Sequence, residues 1–310
     1  MNASKRIKEL LDARVGKKDE FYTSMETIEK ELYEYKDYFK NKTIYCNCDN
    51  PNESNFVKFF INNFDTFGLN KIIATSFNKN DNGLYGEFNK NKKLILKNLV
   101  GDGSFDSDEC LNFLNEADII VTNPPFSLFK KFIKLLIDNK KDFIVLGNVL
   151  NVTYDKVLKQ IAENKIFIGH SIHSGDVKFL VPDDYEIYGQ KFEIKDNKKY
   201  IWVKGIRWFT TLNHNKFPNL ELKYELDSNL HKKLDNYNVI NVDKTKYIPK
   251  NYDGLICVPI TFIDKYNPNQ FKILGELYKM DLSEYLIGSN TKKTLDGKNL
   301  FARLVIKKIN

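Results

Sequence analysis

The stretch Ala117-Asp118-Ile119-Ile120-Val121-Thr122 is almost wholly apolar and runs straight into Asn123-Pro124-Pro125-Phe126. Two oxygen acceptors stand close together in that tetrapeptide, the Asn123 side-chain carbonyl and the Pro124 backbone carbonyl. Together they can take both N–H bonds of a planar exocyclic amine. The amine's lone pair, otherwise delocalised into its ring, is then freed toward an electrophilic carbon such as the methyl of a methyl donor. The two prolines fix φ and remove backbone donors that would compete, so the acceptors stay stiff. Phe126 adds a flat face on which an extruded base can stack. In an arbitrary loop the same four residues would merely end a strand and bury a phenylalanine. The apolar strand before them tips the reading toward chemistry.

A loop of this kind must be carried by a sheet, and the flanking sequence supplies one. From Thr43 short apolar runs alternate with longer amphipathic stretches, at Thr43 to Cys48, Asn55 to Phe64, Lys71 to Phe77 and Leu94 to Val100. The series continues with a helix from Cys110 to Asn115, the strand before Asn123, a helix from Leu128 to Asp138 and a strand from Asp142 to Leu146. Repeated β-α-β with strands apolar on both faces predicts an α/β fold with a doubly wound, mostly parallel sheet of Rossmann-like form. Such sheets hold their ligands beyond the carboxyl ends of the strands. The first 40 residues read as helical, with Ile7, Leu10 and Leu11 and then Met25, Ile28 and Leu32 at helical spacing. After about Gly169 the language becomes that of hairpins, at Val177 to Val181, Lys191 to Lys195 and Tyr200 to Trp208. Asn213 to Lys250 is polar and weakly periodic. The expected division is a cofactor-binding catalytic domain over 1–175 and a strand-rich α+β region with target-recognition elements over 176–310.

Three loops beside the tetrapeptide suit a nucleoside-bearing cofactor. Gly101-Asp102-Gly103-Ser104-Phe105 follows a predicted strand; its Asp can accept an amino group and its glycines allow close backbone approach, although Gly-Asp-Gly is also an ordinary turn. The first strand ends Cys46-Asn47-Cys48-Asp49, with Ser54 placed to cap the next helix. That loop has no glycine, so a dinucleotide fingerprint is absent and a generic Rossmann oxidoreductase is disfavoured. Asp19-Glu20-Phe21-Tyr22-Thr23 precedes the Met25 helix, with Thr23 a candidate cap.

The chain of 310 residues carries 48 Lys and Arg against 41 Asp and Glu, a formal charge of +7 that suits a polyanionic partner. No run of about 18 apolar residues exists, and the charged start lacks the apolar core of a signal peptide. A cytoplasmic protein without a membrane span is expected. Four scattered cysteines and four histidines, including His170 and His173 in a loop-like stretch, give neither a disulfide framework nor a zinc pattern.

Taken together, F-Y-T at 21 to 23, Y-C-N-C-D-N-P-N-E-S-N-F at 45 to 56, T-N-P-P-F at 122 to 126, R-W-F-T-T-L at 207 to 212 and V-P-I-T-F-I-D-K-Y-N-P-N-Q-F at 258 to 271 resemble the EcoRI-type adenine-specific DNA methyltransferases. The resemblance spans nearly the whole chain. It implies S-adenosylmethionine as methyl donor without a metal, double-stranded DNA as partner with no obligate protein partner, and an adenine amino group as target. It also implies catalytic roles for Asn123, Pro124, Pro125 and Phe126. Phe21, Tyr22, Thr23, Asp49, Ser54, Asp102, Gly103 and Phe105 would lie on the cofactor side, with Asp49 near its methionine part. The second strand departs from the pattern, ending Thr75-Ser76-Phe77-Asn78 with no acidic residue for ribose hydroxyls.

Interleaved basic and aromatic residues, namely Lys204, Arg207, Trp208, His214, Asn215 and Lys216, are candidate DNA contacts; singly, each reads equally as a solvated lysine or a core tryptophan. Methylation of RNA or of a protein glutamine on the same fold, and a DNA-binding protein on a decayed methyltransferase scaffold, stay open at this point.

Overall fold

The computed structural model describes residues 21–187, 189, 191–214 and 217–309. The helix expected around Ile7 to Leu11 and the candidate contacts Asn215 and Lys216 lie outside the described residues. Two compact units emerge, one of the described residues up to Asn148 with Gly169–His214, the other of Val149–Ile168 with the described residues after 216. This division differs from the expected boundary at 175. The strands after Gly169 complete the first unit's sheets, whereas the short segment before it belongs with the C-terminal part.

In chain order the first unit begins with β1 (Tyr22–Thr23), α1 (Met25–Leu32), β2 (Thr43–Asn47), α2 (Asn55–Asn62), β3 (Lys71–Ser76), β4 (Leu84–Asn89) and β5 (Leu94–Asn98). It continues with α3 (Asp108–Glu116), β6 (Ile119–Thr122), α4 (Phe129–Asp138) and β7 (Asp142–Asn148). After α5 (Asp155–Ala162) and β8 (Phe167–Ile168) of the second unit come β9 (Asp176–Val181), β10 (Phe192–Lys195), β11 (Lys198–Lys204) and β12 (Ile206–Thr210).

Seven strands of this unit pair in the order β5-β4-β3-β2-β6-β7-β12. Only β3-β2-β6-β7 run parallel; β5, β4 and β12 join antiparallel. The fold is α/β as expected, but its sheet is mixed rather than mostly parallel. The cause lies in short connections. Asn89 and Leu94 are too close in sequence for a crossover, so β4 and β5 close as a hairpin. Gly205, at φ +73°, splits the expected Tyr200 to Trp208 strand in two and sends β11 and β12 into different sheets.

The period-2 alternation of the parallel strands explains the layers. Ile44 and Cys46, Ile119 and Val121, Ile144 and Leu146 share a core with Phe56, Phe59 and Phe60 of α2. Tyr45 points the other way, with its ring 6.3 Å from Phe113 of α3. On that face Phe129 of α4 lies 5.4 Å from Phe209 of β12. Each fully buried phenylalanine contributes about 2–3 kcal/mol. A second, antiparallel sheet of the same unit runs β1-β9-β11-β10.

The second unit contains β13 (Ile240–Asn241), β14 (Ile256–Pro259), β15 (Phe271–Glu276), the β16 (Thr294–Leu295) and β17 (Lys298–Asn299) hairpin, and β18 (Arg303–Lys308). Its main sheet runs β13-β14-β18-β15 over a core that includes Leu234, Val239, Cys257 and Val305. Phe217 to Val239 carries no helix or strand. No helix among the described residues is long and apolar enough to cross a membrane.

Candidate active site

From β2 the chain moves outward through α2 to β3, then returns to β6 on the other side of β2. The carboxyl ends of β2 and β6 therefore flank the point where the winding reverses, which is where open sheets hold ligands. Both loops are fixed to each other there. Cys48, at φ +70°, turns the chain sharply out of β2, and the Asp49 amide donates to the Thr75 carbonyl at 2.9 Å. The Ser54 hydroxyl donates to Asp49 Oδ1 at 2.6 Å while accepting from the Phe56 amide as the cap of α2, the role its sequence position predicts. Thr122 Oγ1, at the last residue of β6, meets Asp49 Oδ2 at 2.6 Å and the Asn47 carbonyl. Protein packed around the Asp49 carboxyl pushes it up to about 7, against the opposing pull of the Ser54 and Thr122 hydroxyls.

Asn123 follows directly. Its Nδ2 donates to the Phe21 carbonyl at 2.7 Å, which fixes the amide, since the flipped orientation would set two acceptors against each other. Asn123 Oδ1 is left buried without a partner among the described residues. Pro124 is buried, and Pro125 opens a 3-10 turn over Phe126–Leu128. The Phe126 ring lies 5.2 Å from Phe21 and 6.1 Å from Phe179, so part of its surface is already engaged.

The segment after Phe21 is held from two sides. Tyr22 and Thr23 pair with Leu180 and Phe179 of β9, and the Asn55 side chain donates to the Thr23 carbonyl at 2.8 Å. Ser24, rather than Thr23, caps α1. Among the described residues Thr23 Oγ1 and Asn47 Nδ2 are, like Asn123 Oδ1, buried without partners. Each such group costs about 1–3 kcal/mol. A donor-acceptor ligand entering here has these atoms to satisfy, and the residues present fit a polar, nucleoside-bearing molecule.

The Gly101 to Phe105 loop docks beside the end of β3. The Asn78 amide donates to the Asp102 carbonyl at 2.7 Å and Gly83 to the Gly101 carbonyl at 2.8 Å. The exposed Asp102 carboxylate accepts from the Ser104 amide at 2.8 Å. Gly103 has φ +78°, and a Cβ there would meet the Ser76 carbonyl at 2.2 Å. Gly103→Ala should therefore cost about 1–3 kcal/mol, seen as a lower urea midpoint with unchanged slope; an unchanged midpoint contradicts this packing. Phe105 is buried with its ring 5.2 Å from Phe132, so it supports the loop from beneath.

Two expected DNA contacts are corrected. Trp208 is 0% exposed, in the core beside Phe56. Arg207 is also buried, its guanidinium donating to the Ile206 and His173 carbonyls at 2.7 and 2.8 Å. Neither side chain faces a groove, because β12 is covered on both faces. Lys204 is exposed and His214 partly so.

Sequence reasoning missed Glu31. Its buried carboxylate accepts from the Tyr35 hydroxyl (2.9 Å), the His170 and Ser171 amides (2.8 and 2.7 Å) and the Ser171 hydroxyl (2.6 Å). A charged residue beside Ile28 and Leu32 on the apolar stripe of α1 was the available signal.

The family model for the adenine-specific methyltransferase EcoRI matches residues 9–97 and 87–309. The chain belongs to the EcoRI adenine-specific methyltransferase family. Type II methyltransferase M.EcoRI of Escherichia coli is 39% identical, over 99% of this chain and 97% of its own length. Type II methyltransferases M.MgeORF184P of Mycoplasma genitalium and M.MpnI of Mycoplasma pneumoniae are each 37% identical, over 96% and 95% of this chain and 97% and 96% of theirs. No solved structure matches. Membership in the EcoRI family makes the chain a DNA methyltransferase of the adenine-specific class.

Proposed function

We propose that this enzyme transfers the methyl group of S-adenosylmethionine to N6 of an adenine turned out of duplex DNA, at a defined site, as a modification activity of restriction-modification or element protection. The observation that carries the reading is Asn123 Oδ1, a buried acceptor at a strand's carboxyl end whose amide is already oriented from behind by the Phe21 carbonyl. S-adenosylmethionine, when bound, supplies an electrophilic methyl on a sulfonium. Asn123 Oδ1 and the Pro124 carbonyl accept hydrogen bonds from the two N6 hydrogens and draw the amine's lone pair out of conjugation, toward where the donor's methyl would lie. The surplus proton of the methylated amine would leave to solvent.

Phe21, Thr23 (through Oγ1), Asp49 and Asp102 are the residues read as holding the cofactor, with Asn47 Nδ2 as a further partner; the Tyr22 side chain stands on the opposite, exposed face of β1. Ser54, Gly103 and Phe105 act behind them, by fixing Asp49 and by shaping the Asp102 loop. Lys204 and His214 are retained as DNA contacts, and the Asn213 to Lys250 stretch as a DNA-facing part of the target-recognition region.

The test is transfer of tritiated methyl from S-adenosylmethionine to duplex DNA, RNA and protein in parallel, with nucleoside analysis of the labelled product. N6-methyladenine from duplex DNA is the expected result. Label confined to RNA or to protein glutamine favours those substrates instead, and cofactor-free DNA binding without transfer favours a decayed scaffold.

A further inference from the structure

We propose that the outer face of the β1-β9-β11-β10 sheet docks the phosphate backbone of the DNA duplex, an assignment that rests on DNA being the substrate. Strand register defines that face. Val177, Phe179 and Val181 of β9 and Ile201 of β11 point into the core. The intervening residues point away, and pairing sets Lys178 opposite Trp202, Leu180 opposite Tyr200 and Tyr22, and Glu193 opposite Tyr200.

The residues so aligned are basic and aromatic in alternation. Lys178 Nζ lies 4.3 Å from the centre of the Tyr200 ring and 5.0 Å from that of Trp202, and Lys191 Nζ lies 4.5 Å from Trp202. Ammonium groups resting on aromatic faces are already ordered, so less side-chain entropy is lost when a phosphate meets them. Lys195 and Lys198 form an exposed pair at one end of the same face, and Lys204 stands at the other. Among the described residues five lysines thus face two carboxylates, Asp176 and Glu193, an excess that complements a polyanion. Tyr200 and Trp202 offer the flat surfaces that sugar and base edges use.

Glu193 gives the proposal its sharpest consequence. Its carboxylate pairs with Lys178 at 2.7 Å. The hydrogen bond from Lys178, and the fields of Lys178, Lys195 and Lys191, hold it below the usual glutamate range. An incoming phosphate would compete with it for Lys178. The face also connects to the chemistry through the chain itself, because β1 begins one residue after the Phe21 carbonyl that holds Asn123.

Binding of the full-length enzyme to a fluorescein-labelled mixed-sequence duplex, measured by anisotropy across a salt series, tests the assignment. K178A/K191A should lower the slope of log affinity against log salt by about 2 and weaken low-salt binding at least about tenfold, while S-adenosylmethionine affinity stays at the wild-type level. E193Q should bind several-fold tighter, a gain that a merely structural role would not give. The chain has two tryptophans, and with Trp208 buried, duplex DNA should perturb the emission of Trp202, a change absent in W202F. A wild-type slope in a folded K178A/K191A, or unchanged affinity in E193Q, overturns the proposal; should the double variant fail to fold, E193Q alone decides. An enzyme that behaves as expected here yet methylates no DNA removes the proposed function and leaves the docking face standing.

Discussion

Asn123→Ala is expected to lower turnover on duplex DNA by about 10²- to 10³-fold, the usual effect of removing one preorganised group that acts on developing charge. Affinity for S-adenosylmethionine should change by less than about twofold, because the lost atom faces the target amine rather than the donor. The structure sharpens this expectation. Asn123 has one side-chain atom in use, Nδ2 on the Phe21 carbonyl, and one unused, Oδ1. Alanine removes both, so any part of the loss that came from releasing Phe21 would also break the twofold limit on cofactor affinity. That part is separable, since a loosened Phe21 segment would also loosen Thr23, which shares β1 with Tyr22. Single-turnover measurement at saturating cofactor and DNA isolates the chemical step. Turnover at the wild-type level would remove Asn123 from the mechanism.

The place of the candidate catalytic loop was easier to read from sequence than the architecture around it. Asn123 could be placed at a strand end because β6 is apolar up to Thr122, and that placement holds. The Ser54 cap was legible for a similar reason, a hydroxyl directly before an amphipathic run. Local patterns report local structure. They do not report pairing partners, so the antiparallel joining of β4, β5 and β12 to the parallel strands was invisible, and Leu84 to Asn89 was not recognised as a strand. Gly205 carried the needed clue within the Tyr200 to Trp208 run, but a lone glycine marks a bulge as readily as a change of sheet. Arg207 and Trp208 misled because composition cannot distinguish a groove-facing cation and aromatic from buried ones. Lys178, Lys191 and Trp202 went unnoticed because register, not sequence, brings them to one face. The Phe21 carbonyl that orients Asn123 is 102 residues away in sequence, and a backbone atom leaves no trace in residue type.

Asp49→Asn is expected to stabilise the cofactor-free protein and to weaken its hold on the cofactor. Moving a buried carboxyl from its ordinary value of 3.8 to about 7 penalises the ionised fold by on the order of 2–4 kcal/mol, allowing for the residue's remaining surface. The sign follows from linkage. A carboxyl whose folded value exceeds its unfolded one leaves stability intact at low pH and subtracts from it as pH rises from about 4 through about 7. The variant should therefore melt higher than wild type at pH 8, with the difference vanishing near pH 4. Geometry favours the exchange. Thr122 Oγ1 has a single proton and two acceptors within reach, Asp49 Oδ2 and the Asn47 carbonyl. An amide at 49 can donate to Thr122, which then donates to Asn47, so every group is satisfied. What the amide lacks is charge. If Asp49 faces the positive methionine end of S-adenosylmethionine, binding should pull its proton off, so that wild-type affinity climbs with pH up to about 7 and the variant binds at least about tenfold more weakly. Thermal unfolding at two pH values and calorimetric titration of the cofactor decide the matter. A variant less stable at pH 8 refutes the buried-charge argument, and unaltered cofactor affinity removes Asp49 from the binding site. Opposite signs in the two measurements would mark Asp49 as a residue kept for function at the expense of stability.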